Sequence, residues 1–69
     1  MVEMFIKRVK EQMALNNVSM YKLAKDIEVN KQTVNFWLNG VNEPKISYLI
    51  KLCDYFDVSA DYLLGLSEV

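Results

Sequence analysis

Residues 19–40 read SMYKLAKDIEVNKQTVNFWLNG, which predicts two short helices joined by a tight corner. Ser19 is a good N-cap for the first helix, because its hydroxyl can accept a hydrogen bond from a free backbone N–H of the first turn. Asn30 can cap the second helix in the same way, and Gly40 ends it as a residue that tolerates left-handed backbone. The first helix has one apolar face at helical spacing, formed by Leu23, Ala24 and Ile27.

The second of these helices has two different faces. Val34, Trp37 and Leu38 lie at i, i+3 and i+4 and form an apolar face that can close on the first helix. The opposite face, called the amide face below, carries Gln32, Asn35, Phe36 and Asn39. A side-chain amide can donate and accept in one plane, which is the geometry that reads adenine in the major groove of DNA. The pattern fits an exposed DNA-reading helix, and it also fits a helical bundle with a polar surface.

Composition excludes several classes of protein. The 69 residues suffice for one small domain, 1–69, whose core contributes only a few kcal/mol, so self-association would help to stabilise it. One Cys and no His exclude an internal disulfide, a zinc site and His-based nucleophilic catalysis. No apolar run is long enough to span a membrane, and nothing resembles a signal peptide, so a cytoplasmic location is the default expectation. We expect no enzymatic activity, metal, cofactor or small-molecule ligand.

The charges are few and unevenly distributed. Residues 1–15 carry three positive and two negative charges, residues 16–45 carry four and three, and residues 46–69 carry one and four. The net charge of −1 argues against a nucleic-acid partner, since such domains are usually basic. The acidic residues are concentrated at the C-terminal end, away from the amide face. This distribution of charge is compatible with a weakly charged DNA-binding surface and also with a neutral surface.

The whole sequence predicts five helices and no strands, over about residues 3–16, 20–27, 31–39, 46–56 and 60–64. In the first helix we expect an inward stripe of Val2, Phe5 or Ile6, Val9 and Met13. We expect a solvated positive side there of Lys7, Arg8 and Lys10. Asn16-Asn17 ends this helix, because Asn tolerates a left-handed cap.

The second half of the chain continues this pattern after a loop, since Pro44 pushes Glu43 out of helical geometry. Asp57-Val58 ends the fourth helix, and Ser59 caps the fifth, which ends near Gly65. The fourth helix is expected to turn inward Ile46, Leu49, Ile50, Cys53 and Phe56, with Cys53 as a small buried apolar residue.

In order and spacing these residues resemble the lambda repressor/Cro-like (XRE) helix-turn-helix domains over nearly the whole chain. The markers are Ser19, Leu23-Ala24, Ile27, Val29, Thr33-Val34, Trp37, Gly40, Pro44 and LIKLCDYFDVSADYLLG at residues 49–65. The resemblance implies a compact, all-α, five-helix domain whose second and third helices form the helix-turn-helix. It also implies a small phage or bacterial repressor that binds double-stranded operator DNA as a homodimer, with the third helix in the major groove.

The resemblance also assigns residues to roles. The base-facing positions are Lys31, Gln32, Asn35, Phe36 and Asn39, with Asn42 just beyond. The phosphate-contacting positions are Ser19, Met20, Asn39, Asn42 and Lys45. If the dimer mode of the family holds, the interface takes Tyr62, Leu63, Leu66 and Val69.

Some positions depart from the family pattern. Met20 stands where relatives usually carry a Gln that braces a phosphate or a base edge. Glu28 stands where the corner is often Gly, so its left-handed conformation is expected to be lost or to cost about 1 kcal/mol. Met13 and Leu38 occupy positions where many relatives bury an Arg–Glu ion pair. Because replacing both charged partners can be neutral or stabilising, we expect these two side chains to touch or to share a neighbour.

Two functions from different classes stay open. The family match favours a sequence-specific DNA-binding regulator. The alternative is an antirepressor or modulator that uses the same fold to bind another regulator protein through an exposed apolar surface at Met20 and Phe36. The low charge, Met20, Phe36 and Glu28 favour this alternative, and the other role open to the ring of Phe36 is contact with a thymine methyl group.

Overall fold

The computed structural model describes residues 2–69, except the side chain of Val2, and contains five helices in that range. They are α1 (Val2–Leu15), α2 (Met20–Ile27), α3 (Lys31–Leu38), α4 (Ile46–Phe56) and α5 (Ala60–Leu64). Residues 2–69 include no strand, so the predicted all-α fold is confirmed. Each helix begins and ends within one residue of its predicted bounds; the inward position predicted for Val2 lies outside the described side chains.

All five helices end in the same backbone closure. A residue with positive φ is followed by an apolar residue whose N–H donates to the carbonyl five residues earlier, over 2.8–3.0 Å. The pairs are Asn17-Val18, Glu28-Val29, Gly40-Val41, Asp57-Val58 and Gly65-Leu66. This closure gives partners to carbonyls that a helix end would otherwise leave unpaired.

Three of these pairs lead directly into the N-cap of the next helix, so the α2–α3 and α4–α5 corners take three residues each and the α1–α2 corner takes four. The side-chain oxygens of Ser19, Asn30 and Ser59 each accept a backbone N–H of the following helix, at 3.1, 2.7 and 3.0 Å. Glu28 keeps the left-handed conformation at its corner, with φ 60° and ψ 46°, so the expectation that it is lost is wrong. The closure needs that conformation, and the cost of about 1 kcal/mol stays a prediction.

All five helices contribute to one buried core, so the apolar faces predicted for α2 and α3 are confirmed. Its members are Phe5, Val9, Leu23, Ala24, Ile27, Val34, Trp37, Leu38, Leu52, Phe56 and Leu63. Met13 is half-buried and packs against this cluster, which includes Leu38, as expected for an apolar residue in place of a buried charge. Direct proximity of Met13 to Leu38 stays a prediction.

The inward face predicted for α4 is partly wrong. Ile46 and Ile50 are 77% and 56% exposed, whereas Leu52, which the prediction omitted, is completely buried. Apolar residues surround most of this helix, so helical spacing fits two stripes, and packing selects the one that contains Leu52 and Phe56. Cys53 is only half-buried, although burial still raises the pKa of its thiol.

Arg8 does not belong to a solvated face, contrary to the prediction for α1. Its side chain is only 12% exposed, and its guanidinium lies 4.5 Å from the ring centroid of Tyr62. The same group donates to the backbone carbonyls of Tyr62 and Ser67, at 2.7 and 2.5 Å. Arg8 therefore fastens α5 and the segment after it to α1, while Lys7 and Lys10 are exposed as predicted.

Candidate nucleic-acid interface

α3 is held in place by its apolar face. Val34 and Trp37 pack among the buried residues of α2, and the Trp37 ring also lies 5.6 Å from the ring of Tyr48 on α4. The short corner at 28–30 fixes where α3 begins relative to α2. One side of α3 is therefore buried in the core, and the opposite side lies at the surface.

That opposite side is the amide face, and it carries the predicted base-facing residues. Lys31, Gln32 and Asn39 are exposed, and Asn35 and Phe36 are half-buried. None of these five side chains belongs to the buried core. The segment after α5 bonds to Arg8 and Ser59, so its described hydrogen bonds lie away from α3.

Two amides of this face bind each other. Nδ2 of Asn39 donates to the backbone carbonyl of Asn35 and to Oδ1 of Asn35, each over 2.8 Å. The side chain of Gln32 points to solvent, while its backbone N–H is capped by Asn30. Of the three side-chain amides, that of Gln32 is free, and those of Asn35 and Asn39 are hydrogen-bonded to each other.

Tyr21 joins this surface, although it is not among the residues predicted for it. Its side chain is 68% exposed in the first turn of α2, and the Nζ of Lys31 lies 5.7 Å from its ring centroid. A contact between a cation and an aromatic face is attractive, so Tyr21 restrains the lysine at the start of α3. The available signal was an aromatic residue on the polar side of an amphipathic helix.

The positions assigned to phosphate contacts differ in what they expose. Ser19 uses its hydroxyl oxygen to cap α2 but keeps the hydroxyl proton to donate. Asn42 and Lys45 are exposed, and Lys45 precedes α4 without a side-chain cap bond. Met20 is half-buried and packs against the core, so its side chain does not extend over the surface.

Several charges near the interface are used within the fold. Nζ of Lys22 lies 2.9 Å from Oδ2 of Asp26, which raises the pKa of the lysine. The same carboxyl oxygen accepts from the hydroxyl of Tyr55, and these two bonds, that of Tyr55 above all, lower the pKa of Asp26. Nζ of Lys51 donates to the carbonyl of Ile27 at the end of α2, over 3.0 Å. Lysines without an ion-pair partner among residues 2–69 include Lys25, Lys31 and Lys45.

The residues predicted for a dimer interface differ in how far they are exposed. Leu63 has 0% exposure and belongs to the core, so its assignment to an interface is wrong. Tyr62 is half-buried against Arg8, and its hydroxyl accepts from Nε2 of Gln12 at 3.2 Å. Leu66 and Val69 are largely exposed and remain available to a partner.

The exposed apolar surface predicted at Met20 and Phe36 is not formed as expected. Both side chains are half-buried, and that of Met20 is used by the core. Among residues 2–69, none of the helices combines the length and the hydrophobicity that a membrane-spanning segment requires.

The comparison with protein-family models gives a match over most of the chain. A family model described as Helix-turn-helix matches residues 9–63, which include α2, α3 and most of the other helices. Comparisons with curated proteins and with solved structures gave no match. Members of the matched family are DNA-binding regulators. The chain belongs to the lambda repressor/Cro-like (XRE) helix-turn-helix family.

Proposed function

We propose that this protein is a sequence-specific transcriptional regulator that binds operator DNA as a homodimer, in the manner of small phage or bacterial repressors. The observation that carries the proposal is the division of α3 into two faces. Val34, Trp37 and Leu38 are buried, while the amide face lies at the surface. A helix fixed in this way can place its amides against base edges in the major groove.

Each residue of the amide face has a role in this proposal. Gln32, Asn35 and Asn39 contact base edges, and the half-buried ring of Phe36 packs on a thymine methyl group. Lys31, restrained by Tyr21, lies where the groove meets the backbone and contacts a base or a phosphate.

Phosphates are bound on both sides of α3. At the start of α2, the Ser19 hydroxyl and the backbone N–H of Met20 donate, since the first N–H groups of a helix favour an anion. After α3, Asn42 and Lys45 contact the next phosphates. Met20 contributes through its backbone alone, because its side chain packs into the core.

The dimer in this proposal uses exposed apolar residues near the end of the chain. Leu66 and Val69 supply the contact, and the edge of Tyr62 borders it. Sedimentation at about 50 μM, well above the dissociation constant of a functional dimer, is expected to show a dimer. A monomer at that concentration contradicts this part of the proposal.

The structure does not favour the alternative function, a modulator that binds another regulator protein. It depends on an exposed, contiguous apolar surface at Met20 and Phe36, whereas both side chains are half-buried and that of Met20 packs against the core. A second function is therefore not proposed.

The proposal can be tested by selecting bound sequences from random duplex DNA. The selection is carried out at two salt concentrations, about 50 mM and about 200 mM. We expect a two-fold symmetric site, with affinity that falls as salt rises. Lys45 neutralises one phosphate per protomer, and Lys31 neutralises a second if it contacts the backbone and not a base, which gives a log–log slope of about −1 to −2 per protomer. The Asn35→Ala variant should lose preference at one base pair of each half-site. Absence of enrichment with the wild-type protein would overturn the proposal.

A further inference from the structure

We propose that Asn39 is a positioning residue that fixes the side-chain amide of Asn35 in one orientation, and that the two residues together read one donor–acceptor pattern. This inference rests on the proposed function and specifies its recognition chemistry. It starts from the two bonds that Nδ2 of Asn39 makes, to the backbone carbonyl and to Oδ1 of Asn35.

The backbone carbonyl determines the orientation of both amides. A carbonyl oxygen only accepts, so the end of the Asn39 amide that faces it, 2.8 Å away, must be the NH₂ group. The second proton of that NH₂ group points to the Asn35 side chain, which must then present its oxygen. Exchanging oxygen and nitrogen in either amide would place two donors or two acceptors together. The assignment is therefore fixed by an atom that cannot be exchanged.

The pairing leaves two groups without a protein partner in the described part of the chain. Nδ2 of Asn35 keeps both of its protons, and Oδ1 of Asn39 keeps both of its lone pairs. They lie four residues apart, on Asn35 in the last turn of α3 and on Asn39, the residue that caps its C-terminal end. A free Asn can turn either end of its amide to a base, whereas the restrained Asn35 offers its nitrogen first.

This arrangement predicts which base edges are preferred. The acceptors for Nδ2 of Asn35 in the major groove are N7 and O6 of guanine, N7 of adenine and O4 of thymine. Guanine offers two adjacent acceptors and is expected to be favoured at this position. Oδ1 of Asn39 accepts from the amino group of adenine or cytosine one step along the groove. At this second position the protein should therefore prefer cytosine to thymine, because thymine has no amino group to donate to Oδ1 of Asn39.

Three variants test the inference by selection of bound duplexes. Asn39→Ala frees the Asn35 amide and should reduce discrimination at the Asn35 base pair by roughly tenfold. Asn39→Asp replaces the donor with a carboxylate, which only accepts hydrogen bonds. The amide of Asn35 should therefore turn its nitrogen towards residue 39 and its oxygen towards the DNA. The preference at that base pair should then move from guanine towards bases with an amino group. Asn42→Ala removes an amide that has no bond to Asn35, and it should weaken binding without changing that preference.

NMR of the free protein supplies a readout that does not depend on DNA. Both side-chain NH₂ protons of Asn39 are hydrogen-bonded, so they should exchange with water more slowly than those of Asn35. In Asn39→Ala the far-ultraviolet circular dichroism should be unchanged, which shows that the helices still form.

The outcomes separate the two proposals. Relaxed preference in Asn39→Ala together with retained preference in Asn42→Ala supports the inference. If wild-type protein selects a site and Asn39→Ala selects it with equal discrimination, the inference is overturned and the proposed function stands. If wild-type protein selects no site, the proposed function is overturned, and this assignment with it.

Discussion

The helix pairs α2–α3 and α4–α5 are built around the same three-residue corner. In one corner Glu28 has φ 60° and ψ 46°, and in the other Asp57 has φ 56° and ψ 49°. The valine that follows each of them donates its N–H to the preceding helix, over 2.9 and 3.0 Å. Each corner then ends on a side-chain cap, from Asn30 or Ser59. The backbone solution is thus the same in both pairs.

The helices that follow the two corners are nevertheless different. α3 has eight residues and turns an amide face with nearby lysines to the surface. α5 has five residues, with Asp61 in its first turn, and lies in a segment that carries four negative charges and one positive charge. The corner therefore sets the path of the backbone, and residues outside the corner give the two helix pairs different surfaces.

The largest effect is expected when the anchor of α3 is removed. Trp37 is almost completely buried, so Trp37→Ala should lower the free energy of unfolding by about 3–5 kcal/mol, most of the stability of a domain of this size. Leu63→Ala, which removes the anchor of α5, should cost about 2–5 kcal/mol. Because Trp37 is the only Trp, urea unfolding should be followed by far-ultraviolet circular dichroism.

Phe36→Ala is the matched control for Trp37→Ala. Phe36 neighbours Trp37 in sequence but lies on the outer side of α3 and is only half-buried. A loss of less than about 1 kcal/mol is expected for this surface residue. Equal losses in the two variants would contradict the division of α3 into two faces.

A smaller effect, confined to the α5 side, is expected from Arg8→Ala. This change removes two hydrogen bonds from a charged donor and the contact with the Tyr62 ring, so a loss of about 1.5–3 kcal/mol is expected. Hydrogen exchange should accelerate at backbone amides of α5 more than at those of α3. Arg8→Lys keeps the charge but not the planar group, and it should recover only part of the loss. Equal acceleration in both helices would show that Arg8 does not act locally.

Replacing each left-handed residue by Gly compares the two corners directly. Glu28→Gly relieves steric strain but adds freedom to the unfolded chain, for a net gain of about 0.5 kcal/mol. Asp57→Gly should change stability by about zero, because Asp adopts this conformation more readily than Glu. Chemical denaturation measures both. A loss of stability in Glu28→Gly would show that the Glu side chain has a role beyond the backbone.

The smallest effect concerns Asp26, which links α2 to Tyr55 on α4. Its pKa lies below the ordinary value of 3.8, first because Tyr55 donates to it and second because Lys22 does. Since the pKa is lowered by folding, the stabilising contribution is present above the ordinary value and is lost as the pH falls through the lowered one. Tyr55→Phe should raise the pKa of Asp26 in an NMR titration. An unchanged pKa of Asp26 in that variant would show that the hydrogen bond from Tyr55 does not link the two helix pairs in solution.

Local patterns made the α2–α3 pair predictable. Its apolar residues occupy one stripe, and both N-caps are residues whose side chains bond to the first turn. The position of the amide face followed from the same spacing. The left-handed Glu28 was harder to predict, because the hydrogen bonds of the corner override the preference of the residue.

The remaining features depend on contacts between distant residues. α4 is apolar on most sides, so spacing alone did not show that Leu52 is inward and Ile46 outward. Arg8 looks like any exposed cation until its partners, 54 and 59 residues away in sequence, are known. By contrast, the bond from Asn39 to Asn35 joins residues four apart on one helix, and the i, i+4 rule could have predicted it.

We propose that the α2–α3 pair, and not the α4–α5 pair, contacts DNA. The most direct measurement is an NMR titration of the protein with the duplex that selection yields, following backbone and side-chain amides. We predict the largest shifts at Gln32, Asn35 and Asn39, with small shifts at Asp54 and Asp61. Shifts concentrated in α4 and α5, with the α3 amides unchanged, would show that DNA binds elsewhere on the protein.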